Sequence, residues 1–223
     1  MKHGLVAVCI PSYGDWKSAM AVSMVSMCMY SVTHGINTAI VSHSSCNVAS
    51  GRNALVRRAL EFCAEWILFC DADMTFPPEA LERLLSARKD AIGVLYRRRI
   101  MPYIHVGEPL IEGHSPKSGI VQAKRLGCGF VLFRSSVFRR LPAPWFVHTW
   151  GSEADKSPSN VDGEISEDIG FMRNLRESGT PVWIDLDLSV MVGHVGEIIV
   201  TEASASSASV DDTANLAGFR RVG

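Results

Sequence analysis

The chain has 223 residues, 47% hydrophobic and 20% charged, which suffices for one buried α/β core and excludes a disordered or fibrous class. A formal net charge of −1 gives no global signature of nucleic-acid or membrane binding, although it leaves room for a local basic patch. The cysteines Cys9, Cys28, Cys46, Cys63, Cys70 and Cys128 form no CxxC pair and no zinc-ligand spacing, so they are expected to be reduced thiols of a cytoplasmic protein.

Met1–Gly4 leads straight into a strand-like run, so no signal peptide is expected. Leu5–Ile10 is a continuous β-favouring run stopped by Pro11, the pattern of a strand buried on both faces. Ala19–Val32 is Met-rich and shorter than the roughly 20 residues a bilayer span takes. Serines interrupt it at Ser23, Ser26 and Ser31, and it predicts a buried core helix. Thr38–Val41 follows as a second strand, Ser42–Gly51 as a polar loop, and Arg52–Ala64 as a helix with one apolar face. Trp66–Cys70 is a third strand that runs directly into Asp71-Ala72-Asp73. Pro77-Pro78 opens a helix reaching about Ala87, and Ala91–Tyr96 is a fourth strand.

This β-α-β-α-β-α-β rhythm predicts a mostly parallel, doubly wound central sheet in a single domain, with the loops after the strands gathered on one edge. Beyond Arg99 the rhythm breaks. Ile120–Leu126 and Phe130–Phe133 are expected strands around Gly127-Cys128-Gly129, with a short helix near Ser135–Arg140. Trp145–Thr149 is short and aromatic, and Gly151–Asp162 is polar and expected to be mobile. Ile165–Glu177 has a helical pattern ended by Gly179-Thr180-Pro181, and Val182–Leu186 and Ser189–Val192 are the last expected strands. Residues 1–200 are taken as the domain, and 201–223 as an Ala/Ser-rich, loosely held tail.

Two carboxylates one residue apart at the end of an apolar strand make a compact oxygen-ligand site for Mg2+ or Mn2+. In an open parallel sheet, ligands bind outside the carboxyl ends of the strands, where Asp71 and Asp73 fall. An ion there could bridge to a diphosphate and offset the charge that builds as a bond to it breaks. Asp-x-Asp alone is often only a solvated turn; the Trp66–Cys70 run before it and Phe76-Pro77-Pro78 after it favour the site.

Six segments come in order: Cys9-Ile10-Pro11-Ser12-Tyr13, Gly51-Arg52-Asn53, Leu68–Asp73, Gly127-Cys128-Gly129-Phe130, Ser166-Glu167-Asp168 and Gly193-His194-Val195-Gly196. Together they resemble the GT-A fold glycosyltransferases, especially short family-two-like members of bacteria and bacteriophages, over roughly Leu5 to Val200. The resemblance implies that Pro11, Ser12 and Tyr13 contact the nucleotide base and ribose. It implies that Arg52 and Asn53 lie against the nucleotide, alongside Asp71, Ala72 and Asp73; the lesser alternative is a solvated charge for Arg52 and a helix cap for Asn53. Where many relatives carry an acidic residue after the second strand, this chain offers Ser42, His43 and Ser44.

His194 resembles the late histidine that completes the metal shell with Asp71 and Asp73. Asp168 matches the aspartate that serves inverting relatives as general base, with Glu167 its neighbour, although acidic residues also suit a helix start for electrostatic reasons alone. Gly129, Phe130, Trp145 and Trp150 are the expected acceptor surface, aromatics being at least as much at home in a core. Arg97-Arg98-Arg99 is the most basic run, either a solvated face or a grip on donor phosphates or a polyanionic acceptor such as DNA. The implied activity is metal-dependent transfer of a sugar, hexosyl in type, from a nucleotide-diphosphate donor such as UDP-sugar. The acceptor hydroxyl is left open, a hydroxymethylated pyrimidine in phage DNA among the options. Two rivals differ in kind. A sugar nucleotidyltransferase would carry a Gly-rich first loop followed by Arg and Lys, where this chain has Pro11-Ser12-Tyr13-Gly14-Asp15. A catalytically silent nucleotide-sugar-binding module would have no need of Asp71, Asp73, Asp168 and His194 together.

Overall fold

The computed structural model describes residues 4–99, 103–110, 117–151 and 163–196. The expected tail, and all but Gly151 of the expected mobile segment, lie outside those residues. Strand β1 (Val6–Ser12) is followed by α1 (Ser18–Thr33), β2 (Thr38–Ser44), α2 (Val48–Glu61), β3 (Trp66–Cys70), β4 (Met74–Thr75), α3 (Ala80–Ser86) and β5 (Ala91–Gly93). The second half adds β6 (Gly107–Pro109), β7 (Ile120–Leu126), β8 (Phe130–Arg134), α4 (Ser136–Arg140), β9 (Thr149–Trp150) and β10 (Glu164–Ile165). It ends with α5 (Glu167–Glu177), β11 (Trp183–Asp185), α6 (Leu186–Ser189) and β12 (Gly193–His194).

Period-two side-chain alternation divides the interior into two layers. Ala7 and Cys9 of β1 and Ile67 and Phe69 of β3 face the layer holding Leu55 and Val56 of α2, Phe138 of α4 and Phe171 of α5. Val6, Val8 and Ile10, with Trp66, Leu68 and Cys70, face Met20, Met24 and Met27 of α1 and Leu81, Leu84 and Leu85 of α3. Helices therefore cover both faces of the sheet, which is why β1 and β3 are apolar almost without interruption. Phe138 and Phe171 stack at 5.2 Å, and Phe69, Phe133 and Phe146 pack around that pair.

The central sheet has the order β2-β1-β3-β8-β5-β11-β7-β6. Strands β2, β1, β3, β5, β11 and β6 run one way, and β8 and β7 run against them. The sheet is thus mixed and mostly parallel at its core, as expected, with one departure from a simple doubly wound order. Strand β5 does not pair with β3, because β8 lies between them and is antiparallel to both.

Several expected boundaries move for identifiable reasons. The loop expected at Ser42–Gly51 is shortened from both sides. Ser42, His43 and Ser44 continue β2 by pairing with Ile10, Pro11 and Ser12. At the other end, the Asn47 side chain accepts the Ser50 N–H at 2.9 Å and caps α2 at Val48. Arg52 and Asn53 therefore lie inside the helix. The fourth strand stops at Gly93: the Leu95 N–H donates to Ser189 Oγ (2.9 Å), and Val106 and Arg98 donate across to Tyr96 and Ile104 carbonyls. Residues 96–98 so form a small ribbon with 104–106. The strand expected at Ser189–Val192 is corrected as well. Asp185 caps a one-turn helix there through the Leu188 N–H (2.9 Å), and the strand comes one step later, where Gly193–His194 pairs with Met74–Thr75.

Candidate active site

Three pieces of chain converge at the carboxyl edge of β3. Asp71 follows the strand, and its N–H donates to the Gly129 carbonyl at 2.8 Å. That contact exists because β8 runs antiparallel and starts at this edge, bringing Gly127-Cys128-Gly129 beside the turn. A Cβ at Gly129 would stand 2.5 Å from the Tyr96 ring, and one at Gly127 would stand 2.7 Å from its hydroxyl. Glycine is what allows Tyr96 to lie against this segment, where its oxygen accepts the Gly129 N–H at 3.1 Å. The third piece is the start of α5, with Glu167 and Asp168 in its first turn.

Buried Arg52 forms the floor. Its Nη2 donates to Asp71 Oδ1 at 3.0 Å, and its Nη1 donates to Glu167 Oε1, so one guanidinium holds two carboxylates from distant parts of the chain. Burial pushes both carboxyl pKa values up, although Arg52 pulls them down. His148 adds a nitrogen 3.5 Å from the other Glu167 oxygen. Asp168 sits beside this floor. Its Oδ2 accepts the Cys128 N–H at 3.2 Å, and its Oδ1 accepts the Ser166 hydroxyl (2.6 Å) and the Ile169 N–H (2.7 Å). Burial, with the charges of Asp71 and Asp168 close by, keeps the Tyr96 phenol well above its usual range.

Asp73 belongs to the rim. His194 Nε2 is 3.2 Å from its Oδ2, and Arg99 Nη1 reaches the same oxygen. The short β4–β12 pairing and the Val195 N–H on the Asp73 carbonyl (2.8 Å) fix the histidine there. Partial burial would raise the Asp73 pKa, but His194 and Arg99 outweigh it and hold the carboxyl below its ordinary value. The His194 pKa is raised, chiefly by its hydrogen bond to Asp73. His194 Nδ1 lies 3.0 Å from the Arg97 carbonyl, to which it donates, leaving Nε2 as the atom that faces the carboxylate.

A cleft of about 350 Å³ opens above the rim, lined on one side by Pro11, Ser12 and Tyr13 and on the other by Asp71, Ala72 and Asp73. Tyr13 is 83% exposed, and the Ser12 hydroxyl donates to the Gly14 carbonyl, tightening that loop. Arg99, His194, His43 and Gly51 complete the walls named here.

Of the three expected metal ligands, Asp73 and His194 are in contact and Asp71 is turned onto Arg52. Among the described residues no three His, Cys, Asp or Glu side chains form a ready cage. The donor chemistry still fits a hard divalent cation: two carboxylates, and an imidazole whose other nitrogen is tied to a carbonyl. Arg99 is on the Asp73 oxygen that a cation would need, and it would have to yield that contact.

Some expected site residues lie elsewhere. The Asn53 carboxamide is fully engaged with backbone: its nitrogen donates to the Ala49 (2.9 Å) and Phe146 (2.7 Å) carbonyls, and its oxygen accepts the Trp145 (2.9 Å) and Phe146 (3.1 Å) N–H groups. It clamps the 145–146 segment to α2 and presents no free polar atom to a donor. Trp145 is buried, its indole donating to the Phe138 and Leu141 carbonyls, and Phe130 is wholly buried against Phe76. Neither can form an acceptor wall, because both are core. Gly129 remains at the floor, and Trp150, 75% exposed, remains at the surface. Nothing local in the sequence signals the contacts of Tyr96, Arg99 and His148. Tyr96 reads as the end of a strand and Arg99 as one of three arginines, and only the ribbon that leaves the sheet after Gly93 separates their roles.

No family model matches the chain, and no curated protein matches it. Solved structures of similar fold include a protein from STIV, 14% identical, with 88% of this chain and 96% of that one covered at a TM-score of 0.48. A Drosophila β1,4-galactosyltransferase 7 mutant in complex with manganese, UDP-Gal and xylobiose is 14% identical, with 92% and 80% covered at 0.48. A glycosyltransferase involved in glycosylation of the major capsid of PBCV-1 is 12% identical, with 63% and 69% covered at 0.37. These are likenesses of fold, and they carry no activity to this chain.

Proposed function

We propose that the protein is a glycosyltransferase that moves a sugar from a nucleoside-diphosphate donor, a UDP-sugar in the first instance, to an acceptor hydroxyl with inversion. The observation that carries this reading is that Asp71, Asp73 and His194 line the 350 Å³ cleft, with Asp168 held on the Cys128 N–H close enough to act on the Asp71 charge. Pro11, Ser12 and Tyr13 border the base and ribose, Tyr13 offering an exposed ring for stacking. Asp73 and His194 would hold Mn2+ or Mg2+ together with Asp71. The chemistry supplied there by such a cation would be charge neutralisation of the departing diphosphate.

Asp168 is the base. Its three donors, from Cys128, Ser166 and Ile169, fix the carboxylate's orientation. The acceptor O–H proton passes to Asp168 as that oxygen attacks the anomeric carbon. The carbon–oxygen bond to the diphosphate breaks on the opposite face, and the nucleoside diphosphate leaves. Arg52 acts through Asp71 and Glu167 and is a positioning residue.

The test is release of nucleoside diphosphate from a panel of sugar nucleotides with Mn2+ present. Asp73→Ala is expected to abolish metal-dependent release in a protein that still folds. Asp168→Asn is expected to bind UDP as wild type does by calorimetry while transfer falls about 10²–10⁴-fold. Normal transfer in the latter removes Asp168 from the role. UDP binding without release across the panel indicates a silent binding module, and pyrophosphate release indicates a nucleotidyltransferase.

A further inference from the structure

A second and larger cleft, about 880 Å³, lies on the far side of His194. Arg99 and His194 line both clefts, so the rim holding Asp73 is a shared wall. Arg97, Arg98, Arg99 and Lys117 line the second cleft, and no Asp or Glu is among its described lining residues. Arg99 is paired with Asp73, and Arg97 Nη1 donates to the Tyr103 carbonyl at 2.6 Å. Arg98 and Lys117 have no ion-pair partner among the described residues. The concentration of positive charge is local, since the whole chain carries a net charge of −1.

Cations are not the whole lining. Tyr103 and His105 contribute rings on the ribbon strand opposite the arginines, and Tyr103 is 48% exposed. Partial burial and the Arg97 charge lower the His105 pKa, which favours the uncharged ring. Cations spaced around a concave surface, interleaved with exposed rings, suit a strand whose phosphates and base faces are both available. A duplex hides its base faces, and a phosphorylated sugar has none.

We propose that this second cleft binds single-stranded nucleic acid, with Arg98 and Lys117 on backbone phosphates and Tyr103 against a base. Calling that strand the sugar acceptor rests on the glycosyl-transfer reading above, whereas the binding itself does not.

Binding of a fluorescein-labelled oligothymidylate to the full chain, followed by fluorescence anisotropy across a salt series, tests it. Wild type is expected to bind at low salt, with log affinity falling linearly against log salt. Arg98→Gln and Lys117→Gln are each expected to weaken binding several-fold and to reduce the salt slope by roughly 0.7, the value for one single-strand phosphate contact. The two positions lie on different segments, so if one variant fails to melt cooperatively by circular dichroism the other still decides. Absence of wild-type binding overturns the proposal, as do unchanged affinities in the variants. Equal affinity for a hairpin duplex, heparin or anionic vesicles overturns it too. UDP titration of wild type with Mn2+ reports separately on the donor cleft, so failure of one reading is distinguishable from failure of the other.

Discussion

Asp71 and Asp73 stand one residue apart and belong to two different regions. Asp71 is fixed by Arg52 to a floor whose buried charges are Arg52 and Glu167, whereas Asp73 is part of a rim whose partners, Arg99 and His194, lie between two open clefts. Burial raises the pKa of the first carboxyl, and ion pairing lowers that of the second. Charges of the floor are architectural: truncating one partner strands another in a poor dielectric. Those of the rim are exchangeable, because water and an incoming cation can replace what is removed.

The sharpest way to break this contrast is Arg52→Ala. It leaves Asp71 and Glu167 without their shared partner, and the expected loss is about 3–5 kcal/mol of stability, measured by urea unfolding. A loss under about 1 kcal/mol would make the floor no more structural than the rim. Next comes Asn53→Ala, which leaves the Trp145 and Phe146 N–H groups unpaired in the interior. A cost of about 2–3 kcal/mol is expected, with UDP affinity unaltered, since no Asn53 atom reaches the cleft. Smallest is Arg99→Ala. Its side chain is half exposed, so stability should change by less than about 1 kcal/mol. Its signature is instead tighter Mn2+ binding by calorimetry, because the guanidinium no longer competes for Asp73. Unchanged Mn2+ affinity would dissociate Asp73 from the metal.

Sequence and structure agree best where one periodicity governs. Trp66–Cys70 and Ile120–Leu126 end where their apolar or β-favouring runs end, and the turn at Asp71 follows without a gap. Disagreement begins where an element is defined by a partner far away in the chain. Nothing local in Phe130–Arg134 says that it will separate β3 from β5, since strand insertion is decided by pairing energy and not by propensity. Gly127-Cys128-Gly129 is legible as the break between two strands, but the neighbour that its glycines admit, Tyr96, is not. Trp145 and Phe130 show the opposite error. An aromatic near a motif is as easily core as wall, and only the hydrogen bonds of the Trp145 indole and the burial of Phe130 decide it.

The insertion of β8 also bears on how the molecule is made. A ribosome that has released only the β1–β5 portion has produced strands whose facing edges, on β3 and β5, have no partner until β8 emerges some forty residues later. During that interval, backbone amides and apolar side chains of β3 are open to pairing with other chains. Closure of the sheet at this point therefore waits on the emergence of β8.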